Sequence, residues 1–134
     1  MMNITKTLNE FLLENRIIDV DVIYNDLFMN PEGLEIISRH DPSQAKVKEF
    51  IDGSSVGQMQ VAYYVRSANP KDCRDILQEI SSALDGLRII DIEDEQYIYD
   101  CSVDTLPNFI SIDDKNQSVY TIEVSISYTH GGQK

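Results

Sequence analysis

Residues 53–57, Gly53-Ser54-Ser55-Val56-Gly57, spell G-x-S-x-G. In a nucleophile elbow that pattern raises a serine on a sharp strand-to-helix turn, with its hydroxyl over a helix N-terminus. Asp91 and His130 follow in the order such a triad needs. The elbow also requires a helix after its second glycine. Residues 58–66 instead alternate in polarity as a strand does, so the segment reads as a turn between two strands. Asp114-Lys115-Asn116-Gln117-Ser118 imitates the first half of a calcium loop. That loop needs glycine at its sixth position and a bidentate glutamate at its twelfth, and Val119 and Ser125 stand there. The acidic run Asp91, Glu93, Asp94 and Glu95 has no His or Cys at ligand spacing and reads as a solvated loop. His40 stands beside Asp41 in a loop-like stretch and His130 in a glycine-containing tail, so both read as surface residues. P-loop, dinucleotide, CxxC and HExxH patterns do not occur. The expectation is a protein without catalytic residues, metal or cofactor.

The elements around these residues follow from periodicity. Ile4, Leu8, Phe11 and Leu12 make one apolar helical face, with Lys6, Asn9, Glu10 and Glu14 elsewhere. Ile17, Ile18, Val20, Val22 and Ile23 look strand-like, Gly33–Arg39 is a short strand, and HDPSQA (residues 40–45) is a loop. AKVKEFI, the turn Asp52-Gly53-Ser54-Ser55, and VGQMQVAYYVRS form a hairpin, because Asp-Gly tolerates the positive φ that tight hairpin turns demand. Met59, Val61, Tyr63 and Val65 face one side of its second strand; Gln58, Gln60, Tyr64 and Arg66 face the other. Asn69 caps a helix with Pro70 in its first turn, a buried stripe of Cys73, Ile76, Leu77, Ile80, Leu84 and Leu87, and Gly86 at its stop. Three more strands follow: one alternating through Tyr97, Tyr99, Cys101 and Val103, then Phe109–Ile112, then a last one after the turn Asp113–Asn116. That last strand sets Tyr120, Ile122, Val124, Ile126 and Tyr128 against Thr121, Glu123, Ser125, Ser127 and Thr129. The whole predicts an α+β fold in which an antiparallel sheet with hairpins packs against one or two helices.

Composition fits one globular domain spanning residues 1–134: 42% hydrophobic, 25% charged, with only 6 glycines and 4 prolines. Eleven basic against 23 acidic residues leave a net charge of −12. Such a surface repels phosphate backbones and anionic lipid, so specific nucleic-acid or membrane binding is not expected. Cys73 and Cys101 are expected as buried, reduced thiols. The opening MMNITKTLNEFLLENR reads as no signal peptide, and no apolar run approaches the roughly 20 residues a bilayer span needs, so an intracellular soluble protein is expected. Seven tyrosines suit contact surfaces.

The block from Lys46 through Phe50-Ile51-Asp52-Gly53-Ser54-Ser55-Val56-Gly57-Gln58, the strand VAYYVRS, a helix opening Asn69-Pro70-Lys71-Asp72 and a final strand YTIEVSISY come in that order. Together they resemble the tail terminator or "minor capsid" proteins of long-tailed bacteriophages and prophages, over most of residues 33–129. The resemblance implies a non-enzymatic virion protein that caps the tail tube as a ring, usually a homo-hexamer, and forms the head–tail joining surface. Its implied partners are further copies of itself, the major tail tube protein and a head-completion protein, with DNA only passing through. Asp52, Gly53, Ser54 and Gly57 would then be structural turn residues. Asp91, Glu93, Asp94, Glu95, Asp113 and Asp114, the densest acidic loops, are candidates for the bore or its rim. The implied location is the tail at the head–tail junction, assembled in the host cytoplasm. Two alternatives stay open: another junction component, such as a head-closure or tail-completion protein, and a small intracellular ligand-binding or regulatory domain.

Overall fold

The computed structural model describes residues 4–18, 22–25, 27–29, 33–49, 55–87, 90–91 and 96–130. In chain order the elements are α1 (Ile4–Glu14), β1 (Tyr24–Asn25), β2 (Glu35–Glu49), β3 (Ser55–Ser67), α2 (Pro70–Leu84), β4 (Ile90–Asp91), β5 (Gln96–Val103), β6 (Asn108–Ile112) and β7 (Ser118–His130). Among the described residues the strands make one 7-stranded sheet in the order β1-β2-β3-β7-β5-β4, with β6 also paired to β7. Every pairing is antiparallel except the short β1–β2 contact, which is parallel. This is the expected α+β fold.

The β2–β3 hairpin forms, with Glu49 opposite Ser55, while its turn residues Asp52, Gly53 and Ser54 lie outside the described residues. Ser55 and Gly57 belong to β3, which runs on for ten residues past Gly57. No helix follows the second glycine, so the elbow geometry is absent. Two expectations about β2 need correction. The HDPSQA stretch is not a loop, and His40 is not in one: β2 runs through both. Its pairing shifts between Asp41, opposite Gln60, and Lys46, opposite Gln58. The extra residues are absorbed as a bulge around Pro42, whose missing N–H makes regular pairing impossible there. The breaker residues thus mark a local irregularity inside a strand rather than its end.

The apolar stripe of α2 packs on the face of the sheet that its alternating residues build. Cys73, Leu77, Ile80 and Leu84 are buried against Val61, Tyr63, Val65, Ile122, Val124 and Ile126. Asn69 caps α2 by accepting from the Lys71 N–H at 3.0 Å. At its other end Gly86 takes φ +83°, and its N–H donates to the Cys101 carbonyl at 2.7 Å, tying the helix exit to β5. Leu8 and Leu12 of α1 enter the same core. Of the strand-like Ile17–Ile23 stretch, Ile17, Ile18, Val22 and Ile23 are described and lie outside any strand, while Val20 lies outside the described residues. Arg16, at φ +52°, follows the end of α1, and Ile18 and Ile23 are buried ahead of the two-residue β1. Both cysteines are free and buried, and burial pushes the Cys73 thiol up to about 11 and that of Cys101 up to about 12.

Candidate functional site

Both helices contribute to one face of the sheet, leaving the other face to be read from strand register. On β3 and β7 that face carries Gln58, Gln60, Ala62 and Tyr64 beside Ser127, Ser125, Glu123 and Thr121. The Gln58 amide donates to Ser127 Oγ at 3.5 Å, and that of Gln60 to Asp104 Oδ2 at 3.2 Å and to Ser125 Oγ at 3.5 Å. Ser125 Oγ donates to the same Asp104 carboxylate at 2.5 Å. Amide, hydroxyl and carboxylate groups thus form a half-exposed polar ladder along the strands. Its chemistry is that of a wet contact surface with a negative character.

The same face closes at one end with a buried ion pair. Arg66 and Glu35 sit opposite each other on β3 and β2, with Arg66 Nη2 at 3.4 Å from Glu35 Oε1, and both side chains are almost wholly buried. Arg66 Nε also donates to the Gly33 carbonyl at 3.2 Å, its guanidinium lies 4.6 Å from the Phe28 ring centroid, and the Met29 N–H donates to Glu35. Together these contacts hold the 28–35 segment across the sheet end. Gln117 joins it there, accepting from the Gly33 N–H at 2.6 Å. Arg66, on the face with Gln58, Gln60 and Tyr64, is therefore buried rather than open to solvent. Strand alternation gives its face correctly but says nothing of the segment that covers it.

A second polar chain crosses the core. Tyr63 Oη donates to Asn9 Oδ1 at 2.9 Å, Asn9 Nδ2 donates to Ser38 Oγ at 2.9 Å, and Ser38 Oγ donates to Asn25 Oδ1 at 3.2 Å. It fastens α1 to β3, β2 and β1. Burial drives the Tyr63 phenol far above its ordinary pKa, so it stays a proton donor. Asn9, expected on the polar side of α1, is buried by this chain.

The acidic candidates that are described fall at opposite ends of the sheet. Asp113 and Asp114 occupy the β6–β7 turn, just before Ser118. Asp91 lies on β4 opposite Tyr97, which pairs with Thr129 near the far end of β7, and Glu93, Glu95 and Asp94 lie outside the described residues. The β7 residues between these points span about 36 Å at a strand rise of about 3.3 Å per residue, so Asp113 and Asp114 stand far from Asp91 along the sheet. Asp113 has a structural task in its own turn. Its carboxylate accepts from the Gln117 N–H at 2.8 Å, the Lys115 N–H at 3.0 Å and the Gln117 amide at 3.1 Å. These bonds, Gln117 first, lower its pKa. Gly57, expected as a turn residue, lies within β3 opposite Tyr128, and a Cβ there would run into the Tyr128 ring.

Sequence reasoning missed a second surface. Phe109, Ile110 and Ile112 of β6 and the preceding Leu106 are large apolar side chains left exposed. The signal was present in the uncharged run LPNFISI, which offers no polar face. Among the described residues, no group of His, Cys, Asp and Glu is placed to hold a metal, and no helix is long and apolar enough to cross a membrane.

Comparison with curated proteins finds no match. Among solved structures, the fold is similar to a chain in the virion of a native gene transfer agent particle, with TM-score 0.67 and 9% identity over 94% of this chain and 91% of that one. At that identity the likeness concerns the fold alone. Residues 29–130 match the family described as bacteriophage tail terminator protein. That span takes in the Glu35–Arg66 pair, the hairpin, α2 and every strand from β2 to β7, which is the framework of both the ladder and the sheet ends. The chain belongs to the bacteriophage tail terminator family.

Proposed function

We propose that this protein ends the growth of a phage tail tube by capping it as a ring, and that the ring then presents the surface to which the head is joined. Family membership over residues 29–130 is the observation that carries this reading, and it makes the chain a structural component of a phage particle. The virion origin of the gene transfer agent chain with the same fold agrees with it. The role is mechanical rather than catalytic. Its partners are other copies of the chain, six in the usual ring, together with the tail tube protein below and a head-completion protein above. Assembly takes place in the host cytoplasm, and the finished ring stays in the virion at the head–tail junction.

The acidic loops fit a channel that DNA crosses. A basic lining would hold each phosphate by releasing counterions, whereas an acidic one gives DNA no resting site. If the strands run along the bore, Asp113 and Asp114 belong to one mouth and Asp91 to the other. Electron microscopy of the purified protein tests the reading. Rings of uniform subunit number, with a central opening wide enough for duplex DNA, are expected. A protein that stays monomeric at high concentration and binds a metabolite would instead point to a ligand-binding domain.

A further inference from the structure

β6 pairs with β7 on one side and, among the described residues, has no strand on the other. It lies end to end with β5 along the same edge of β7: β7 residues 118–121 face β6 and residues 124–130 face β5. All five of its residues are exposed, with Phe109, Ile110 and Ile112 between 50% and 56% and the preceding Leu106 at 78%. Natural edge strands are blunted by charge, by proline within the strand or by a covering element, because an open apolar edge templates association. β6, with the sequence NFISI, has no charge and no proline, on a chain of net charge −12.

The opposite end of the strand order is also open. Among the described residues β1 pairs only with β2, and the residues on either side of it, Val22 and Leu27, are 45% and 70% exposed. Among the described residues the chain thus carries two different open strand edges, the apolar β6 and the short β1 with exposed apolar side chains on either side of it. A ring of more than two subunits needs such a pair, since each copy must offer one patch and receive another. Charge selects the occupant as well. An acidic second copy approaching β6 meets an uncharged strand and, beside it, the exposed Arg74, whose guanidinium lies 5.8 Å from the Tyr120 ring against which Phe109 packs edge-on at 5.6 Å.

We propose that the β6 edge of one copy docks on the β1 edge of the next, so that the head-to-tail contact between sheets closes the ring. This rests on the ring reading above and adds to it which surfaces meet.

The test uses the full chain in three forms: wild type, Ile110→Lys/Ile112→Lys, and Val22→Lys/Leu27→Lys. Their masses are measured by light scattering on a sizing column, with circular dichroism and thermal melts to verify folding. The wild type is expected to form rings, each double variant to remain a folded monomer, and an equimolar mixture of the two variants to give a 1:1 dimer and nothing larger. The dimer forms because each variant keeps the edge that the other has lost. Should lysine at β6 impair folding, Ile110→Ser/Ile112→Ser takes its place with the same expected loss of rings. Rings that persist in either variant, self-dimers of the β1 variant, or a mixture that stays monomeric would overturn the pairing while leaving the ring reading intact. A wild type that stays monomeric up to millimolar concentration would overturn both.

Discussion

Gly57 needs no unusual backbone angle; what it supplies is the absence of a side chain. Across the β3–β7 ladder it faces Tyr128, whose ring occupies the space where a Cβ would stand, and Tyr128 is itself buried. Gly57→Ala should therefore destabilise the domain by about 1–3 kcal/mol, the usual cost of forcing atoms into a filled site. In a Tyr128→Ala background the same change should cost measurably less, and chemical denaturation of the four proteins checks the coupling. Equal costs in both backgrounds would mean that the ring is not what excludes the Cβ. Asp113 makes a prediction with a sign. Its folded pKa is lowered, chiefly by the Gln117 N–H, so its contribution is present above the ordinary carboxylate pKa near 4 and fades as pH falls through the lowered value. Asp113→Ala should melt below the wild type at pH 7, and the gap should close on acidification toward pH 2. Single residues were legible in the sequence where neighbours in the chain decide their fate. Met59, Val61, Tyr63 and Val65 are such a set, and all are buried as alternation requires. Asn9 and Arg66 were not, because their partners Tyr63 and Glu35 lie 54 and 31 positions away.

Elements separate in the same way. α2 declares itself through the Asn69 cap, Pro70, the 3–4 spacing of its stripe and the positive φ of Gly86, all local signals that the tertiary structure does not override. Its burial predicts reactivity. Cys73 and Cys101 are both buried with raised pKa values, about 11 and about 12, so at pH 8 each is a protonated thiol out of a reagent's reach. A thiol reagent should label neither in the native protein and both in denaturant, read by mass spectrometry. Prompt native labelling of Cys73 would remove the α2 stripe from the core. β1 and the length of β2 were not readable. β1 is two residues of parallel pairing with no periodicity to show, and β2 continues through a proline because its partner strand, not its own propensity, holds it extended.

The assembled particle turns on charge. Each copy carries −12, so in the proposed ring the like charges of neighbouring copies oppose the proposed contact between strand edges. The long-range part of that repulsion is screened over about 10 Å at 0.1 M salt and about 3 Å at 1 M, whereas burial of Ile110, Ile112, Val22 and Leu27 needs no counter-ion and gains slightly from salting-out anions. Arg74 opposes the trend, since an ion pair at the contact weakens with salt, but one cation per copy is small beside a surplus of 12 acidic charges. The midpoint concentration for ring formation should therefore fall as sodium chloride rises from about 50 mM to about 0.5 M. Neutralising the turn with Asp114→Asn should shift the midpoint in the same direction at low salt, with the difference fading at high salt. Sedimentation velocity across the salt series reads both effects. Rings that dissociate as salt rises would mean that opposite charges, rather than the uncharged edges of β6 and β1, hold the subunits together.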